Sequence, residues 1–131
     1  MLAARENIGK SGLFLIGVAF ICLILMALRF EINWDEFYIL NYMYKYEAGE
    51  LTNPLHTIFV HGFGWIRGLE SGEVDQVIAG RFVILTAFSV TCTMLYLTAR
   101  RFYLPMAALA AVLAYIGFSF VFRSAVSFRV D

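Results

Sequence analysis

An aspartate and a glutamate stand side by side at Asp35 and Glu36 within "INWDEFYILNYMYKYEAGEL", directly after a long apolar run. Two readings compete for them. One is structural: an N-cap and a first-turn acid complementing the positive end of a helix dipole. The other is chemical: Asp35, held at a helix start beside a bilayer, acts as general base or divalent-metal ligand on a lipid-borne substrate. Successive residues on a helix point about 100° apart. Both acids therefore cannot address one spot, and the natural division is one catalytic and one structural role.

Arg81 is the second anomaly, a cation inside an apolar run. It either snorkels to the headgroups or faces a bundle interior, where a guanidinium grips a carboxylate or a substrate phosphate through two parallel hydrogen bonds. Arg123, Arg129 and Asp131 gather after the last apolar run. His56 and His61 point about 140° apart on a helix, which suits interfacial or core histidines better than a metal pair. Cys22 and Cys92 fall inside apolar runs, where cysteine packs as a small hydrophobe, so neither disulfide nor metal is read in them. No Gly-rich phosphate loop, CxxC pair or catalytic Ser or Cys motif occurs.

The elements that must position these groups follow from composition. With 61% hydrophobic and 15% charged residues and a mean hydropathy of +0.75, too little polar surface remains to cover a water-soluble globule. The expected fold is all-α: a polytopic membrane protein with three transmembrane helices, over about 13–30, 77–99 and 104–122, and amphipathic juxtamembrane helices in the outer loop, about 31–76. Within that loop, Asn33 and Glu36 have the spacing of a capping box, predicting a helix from about Asp35 to Ala48. Tyr38, Tyr42 and Tyr46 share one of its faces, as in a helix lying among headgroups. A second helix is expected to start at Asn53 and Pro54, with Leu55, Ile58, Phe59 and Phe63 as its apolar face and its later part interrupted by Gly62, Gly64 and Gly68. In the third run, Ala107 with Ala111 and Ala110 with Ala114 have the small-x-x-x-small spacing of close helix packing. The first run is read as a retained anchor, since "LMALRFEINW" offers no cleavage site for a signal peptide.

Orientation follows from Lys and Arg near the span ends. Arg5, Lys10, Arg100 and Arg101 mark the cytoplasmic side. Between Arg29 and Asp75 there are three basic and eight acidic residues, which places that loop outside. The ten basic and ten acidic residues balance overall, so nothing suggests nucleic acid. No repeat or linker divides the chain, and residues 1–131 read as one transmembrane unit, expected to be the N-terminal part of a larger protein because three spans hardly enclose a lipid-sized substrate.

Taken in order, the anchor, Trp34-Asp35-Glu36 outside it, the Asn-Pro-Leu helix start, Gly80-Arg81, Ala99-Arg100-Arg101-Phe102 and the closing Arg-x-Asp resemble the first third of a membrane glycosyltransferase. The family is the GT-C fold class, family 39-like, the group of dolichyl-phosphate-mannose protein mannosyltransferases and aminoarabinose transferases. The likeness runs from about Phe30 to Asp131.

The resemblance implies a large enzyme that moves a sugar from a polyprenyl phosphate at the outer face and inverts its anomeric carbon. It makes Asp35 the catalytic residue. Glu36, Arg81, Arg129 and Asp131 would bind substrate, and Asp35 with Asp131 would hold a divalent cation, magnesium or manganese, if one is used. Expected partners are a lipid-linked sugar donor and membrane lipid. The chain departs from the aminoarabinose type at Thr52-Asn53-Pro54, where that type has Lys-Pro-Pro, so a lysine contact to lipid phosphate does not carry over. Two alternatives stay open: a small three-span scaffold or binding protein with an acidic docking loop, and a transporter fragment with Arg81 lining its pathway.

Overall fold

The computed structural model describes residues 2–51 and 57–128. All regular structure there is helical. Helix α1 (Leu2–Arg29) is followed by α2 (Trp34–Glu47), α3 (Thr57–Phe63) with a 3-10 turn over Gly64–Gly68, α4 (Glu73–Phe102), α5 (Pro105–Gly117) and α6 (Ser119–Ser124).

Two of these helices are long and apolar enough to cross a membrane. The apolar part of α1, Gly9–Arg29, has 21 residues and a hydropathy of 2.7, and α4 has 30 residues and a hydropathy of 1.8. At 1.5 Å per residue they reach about 32 and 45 Å. Most of their apolar side chains face outward: Leu13, Phe14, Leu15, Ile21 and Leu25 on α1, and Val90, Met94 and Leu97 on α4, are exposed. Lipid tails can cover such a surface at no cost, whereas water cannot. Along α4 the hydroxyls of Thr86, Ser89, Thr91 and Thr93 donate to carbonyls four residues back, at 2.8, 2.8, 3.0 and 2.9 Å. Each polar group is thus satisfied within its own helix.

Helix α4 overruns its expected apolar span at both ends. Its first turn carries Glu73 and Asp75 and its last turn Arg100 and Arg101, so the charges that end the apolar run complement the dipole and extend the helix. Tyr103 and Leu104 then make the turn, and Pro105 opens α5 at a position where no N–H is needed.

The expected third span is not one helix. The run 104–122 breaks after Gly117, where Phe118 adopts extended dihedrals (φ −68°, ψ 120°) before α6 begins. Helix α5 alone, with 13 residues, covers about 20 Å. Glycine weakens the helix at that point, and the broken chain turns so that residues 125–128 pack back onto the bundle. The small-residue reading of α5 is also corrected. Its buried face is Ala108, Leu109, Val112 and Ile116, while Ala107, Ala110 and Ala114 are exposed. The close approach comes from the other side: Gly12 of α1 sits against Leu109, whose Cδ1 would lie 3.6 Å from a Cβ placed there.

Two cores result. Within the bundle, Leu23 and Ala27 of α1 meet Leu85, Phe88 and Cys92 of α4 and Val112 and Ile116 of α5, closed by Ala125 and Val126. At one end of the bundle, Ile39, Leu40 and Met43 of α2 pack with Val60, Ile66, Val77 and Phe128. The loop between α1 and α4 therefore folds as a cap with an apolar centre of its own.

Candidate functional site

The cap is joined to the bundle by a buried ion pair. Glu36 and Arg81 are each 1% exposed, and Arg81 grips the carboxylate with both edges of its fork: Nε donates to Oε1 at 2.9 Å and Nη2 to Oε2 at 2.5 Å. The remaining guanidinium donors go to backbone carbonyls. Nη1 reaches Ala27 at 3.1 Å and Phe30 at 3.0 Å, and Nη2 reaches Glu31 at 3.2 Å. These carbonyls end α1, where the last turn has no helical partners, so Arg81 serves as its C-terminal cap. All five N–H groups of the guanidinium are accounted for.

Glu36 is equally occupied. Besides Arg81 it accepts the Asn33 N–H at 3.1 Å and the Phe128 N–H at 2.7 Å. The Asn33 bond is the return half of the capping box read from the N-x-x-E spacing, and α2 starts within one residue of the expected position. Burial alone would push the Glu36 carboxyl up, but the bonds from Arg81, Phe128 and Asn33 outweigh it and hold the pKa below the ordinary glutamate value. The group is ionised at neutral pH.

Gly80 completes the junction. Phe128 is fully buried, and its ring lies over Gly80 so closely that a Cβ there would sit 2.6 Å from Cδ2. The same ring meets Phe63 edge-on at 5.3 Å. Glycine before the arginine thus makes room for the aromatic residue whose N–H closes the carboxylate's coordination.

Around this lock lies a cavity of about 430 Å³. Its floor is Glu36 and Arg81. The rest of its lining mixes apolar Met26, Phe30, Phe120 and Val126 with polar Glu31, Asn33, Arg123, Ser124 and Ser127. Two of the apolar lining residues, Phe30 and Phe120, are 54% and 71% exposed and so also belong to the outer surface.

The expected site residues separate on this frame. Glu36 and Arg81 come together, but on each other. Asp35, half-buried in the first turn of α2, is not among the cavity's described lining residues; it precedes Glu36 and points about 100° away from it round the helix. Arg129 and Asp131 lie outside the described residues, as do His56 and the helix start at Asn53 and Pro54. His61 makes an edge-on contact with Tyr46 at 5.0 Å, with Nε2 3.3 Å from the phenolic oxygen. The tyrosine face is a ladder: Trp34, Tyr38 and Tyr42 meet edge-on at 6.1 and 4.6 Å, and the Tyr42 hydroxyl donates to that of Tyr38 at 2.6 Å.

Among the described residues no three His, Cys, Asp or Glu side chains gather as metal ligands. Asp131, expected to hold a divalent cation together with Asp35, lies outside the described residues. Residues not singled out from the sequence are Phe128, Phe120, Ser124 and Ser127. The one local signal was Gly80 preceding Arg81 in an apolar helix. No family model, curated protein or solved structure matches the chain.

Proposed function

We propose that this chain is the N-terminal, membrane-embedded part of an inverting glycosyltransferase that moves a sugar from a polyprenyl phosphate to an acceptor at the non-cytoplasmic face. The N-terminus lies on the cytoplasmic side, and α5 with α6 together make the third crossing as a broken helix. The observation that supports this reading is the cavity beside the first turn of α2, whose lining combines apolar and polar side chains. A donor with a long apolar tail and an anionic head needs both surfaces.

In this scheme the Glu36–Arg81 pair positions the first turn of α2, and Asp35 works from the adjoining helical face. An acceptor hydroxyl gives its proton to Asp35 as its oxygen bonds to the sugar's anomeric carbon. The bond from that carbon to the phosphate oxygen breaks, and its electron pair leaves with the polyprenyl phosphate. Where the acceptor is an ionised phosphate, no proton moves and Asp35 orients the nucleophile.

Asp35→Asn in the complete polytopic chain is expected to lower kcat by about 10²–10⁴, the usual contribution of a general base, with membrane insertion unchanged. Retention of most of the transfer activity would remove Asp35 from the mechanism. A second reading is a non-enzymatic membrane scaffold. It is favoured by the closure of Glu36 and Arg81 on each other, which is how a purely structural pair would be built.

A further inference from the structure

We propose that Arg123 is the phosphate-binding residue of the cavity, and that the cavity accepts the head of a phosphate-bearing amphiphile with its tail along Phe120 and Phe30. The inference deepens the donor reading above and rests on it for the identity of the amphiphile, though not for the phosphate chemistry.

Two cations are among the described residues that line the cavity, Arg81 and Arg123. They differ in what they have left to give. Arg81 is 1% exposed and its five donors are spent on Glu36 and three carbonyls. A phosphate approaching it would have to displace a bidentate carboxylate. Arg123 is exposed, and among the described residues its guanidinium makes neither hydrogen bond nor ion pair. The cationic role expected of Arg81 therefore falls to Arg123, a positive charge on the side of the membrane where positive charge is scarce.

The placement of Arg123 suits an amphiphile. Phe120 and Arg123 are three residues apart on α6, so they share a helical face and set an apolar surface directly beside a cationic one. Ser124 and Ser127 line the same cavity and supply hydroxyl donors for the remaining phosphate oxygens. The floor carries no net charge, because Glu36 and Arg81 cancel. Glu31 is the remaining charged residue among the described lining residues and cannot attract an anion, which leaves Arg123 as the uncompensated cation among them. Its loss should be felt in full.

The test is equilibrium binding of a radiolabelled long-chain polyprenyl phosphate to the chain in maltoside micelles, with Arg123→Gln and Arg123→Lys as variants. Arg123 is exposed, so neither substitution should disturb folding, and circular dichroism checks that. Wild type is expected to bind the polyprenyl phosphate and not the phosphate-free polyprenol. Arg123→Gln should weaken binding about tenfold or more, as for loss of a charge-assisted hydrogen bond, and Arg123→Lys less. Unchanged affinity in Arg123→Gln, or equal binding of the polyprenol, would overturn the assignment. Competition by inorganic phosphate at equal concentration would overturn the amphiphile. Equal competition by phosphatidylglycerol would keep Arg123 as a lipid-phosphate site while removing the sugar-donor reading, so the two failures are told apart.

Discussion

The bundle and the cap at its end are held together by different physics. In the bundle, Leu23, Ala27, Leu85, Phe88, Val112 and Ile116 meet through apolar contact and shape. The cap depends on direction: one carboxylate receives a guanidinium and two backbone N–H groups, and one aromatic ring fits over one glycine. Dispersion is spread over many pairs and tolerates exchange of one apolar residue for another. A closed polar network does not, since each member leaves another unsatisfied when removed. The difference teaches where the chain has room to vary and where it has none.

The sharpest way to break the contrast is at the ion pair. Arg81→Met leaves a buried carboxylate without its counter-charge and the end of α1 without its cap, a loss of about 3–5 kcal/mol. Leu85→Met in the neighbouring bundle core should cost less than about 1.5 kcal/mol. Thermal unfolding in detergent, read by circular dichroism, compares them. Glu36 also gives the cap a pH dependence. Its pKa is lowered in the folded state, so the stabilisation is complete above the ordinary glutamate value and is lost as pH falls through the lowered one. Glu36→Gln should flatten that acid limb.

A smaller effect is expected at the glycine. Gly80→Ala drives a methyl into the Phe128 ring at 2.6 Å, an overpacking cost of about 1–3 kcal/mol. Gly80→Ala combined with Phe128→Leu should recover part of it, since a smaller side chain leaves space for the methyl. Unfolding midpoints of the single and double variants measure the coupling; additive losses would mean that the ring and the glycine do not share one site.

Local signals carried over well into the structure. The start of α2 was legible because Asn33 and Glu36 lie three residues apart and the Asn33 N–H to Glu36 bond depends on nothing beyond that turn. The apolar runs of α1 and α4 were legible because length and apolar composition are properties of the segment alone. The partner of Arg81 was not, since Glu36 lies 45 residues away and the pairing needs the cap to fold first. The break at Phe118 was hidden because residues on both sides are equally apolar, and a single glycine, Gly117, does not by itself end a helix. At the site, Glu36 and Arg81 were visible as residues with open roles, and Arg123 as one of the charges gathered after the last apolar run. Which of the two arginines has donors to spare became apparent only from their hydrogen bonds.

The most direct test of the account is the side of the membrane on which the cap lies. Asn41 is exposed on α2, and a single cysteine there, in a Cys22→Ala, Cys92→Ala background, can be probed in intact cells with a membrane-impermeant thiol reagent. The account predicts labelling from outside without permeabilisation. Labelling only after the membrane is opened would put Asp35 and the cavity on the cytoplasmic side and contradict it.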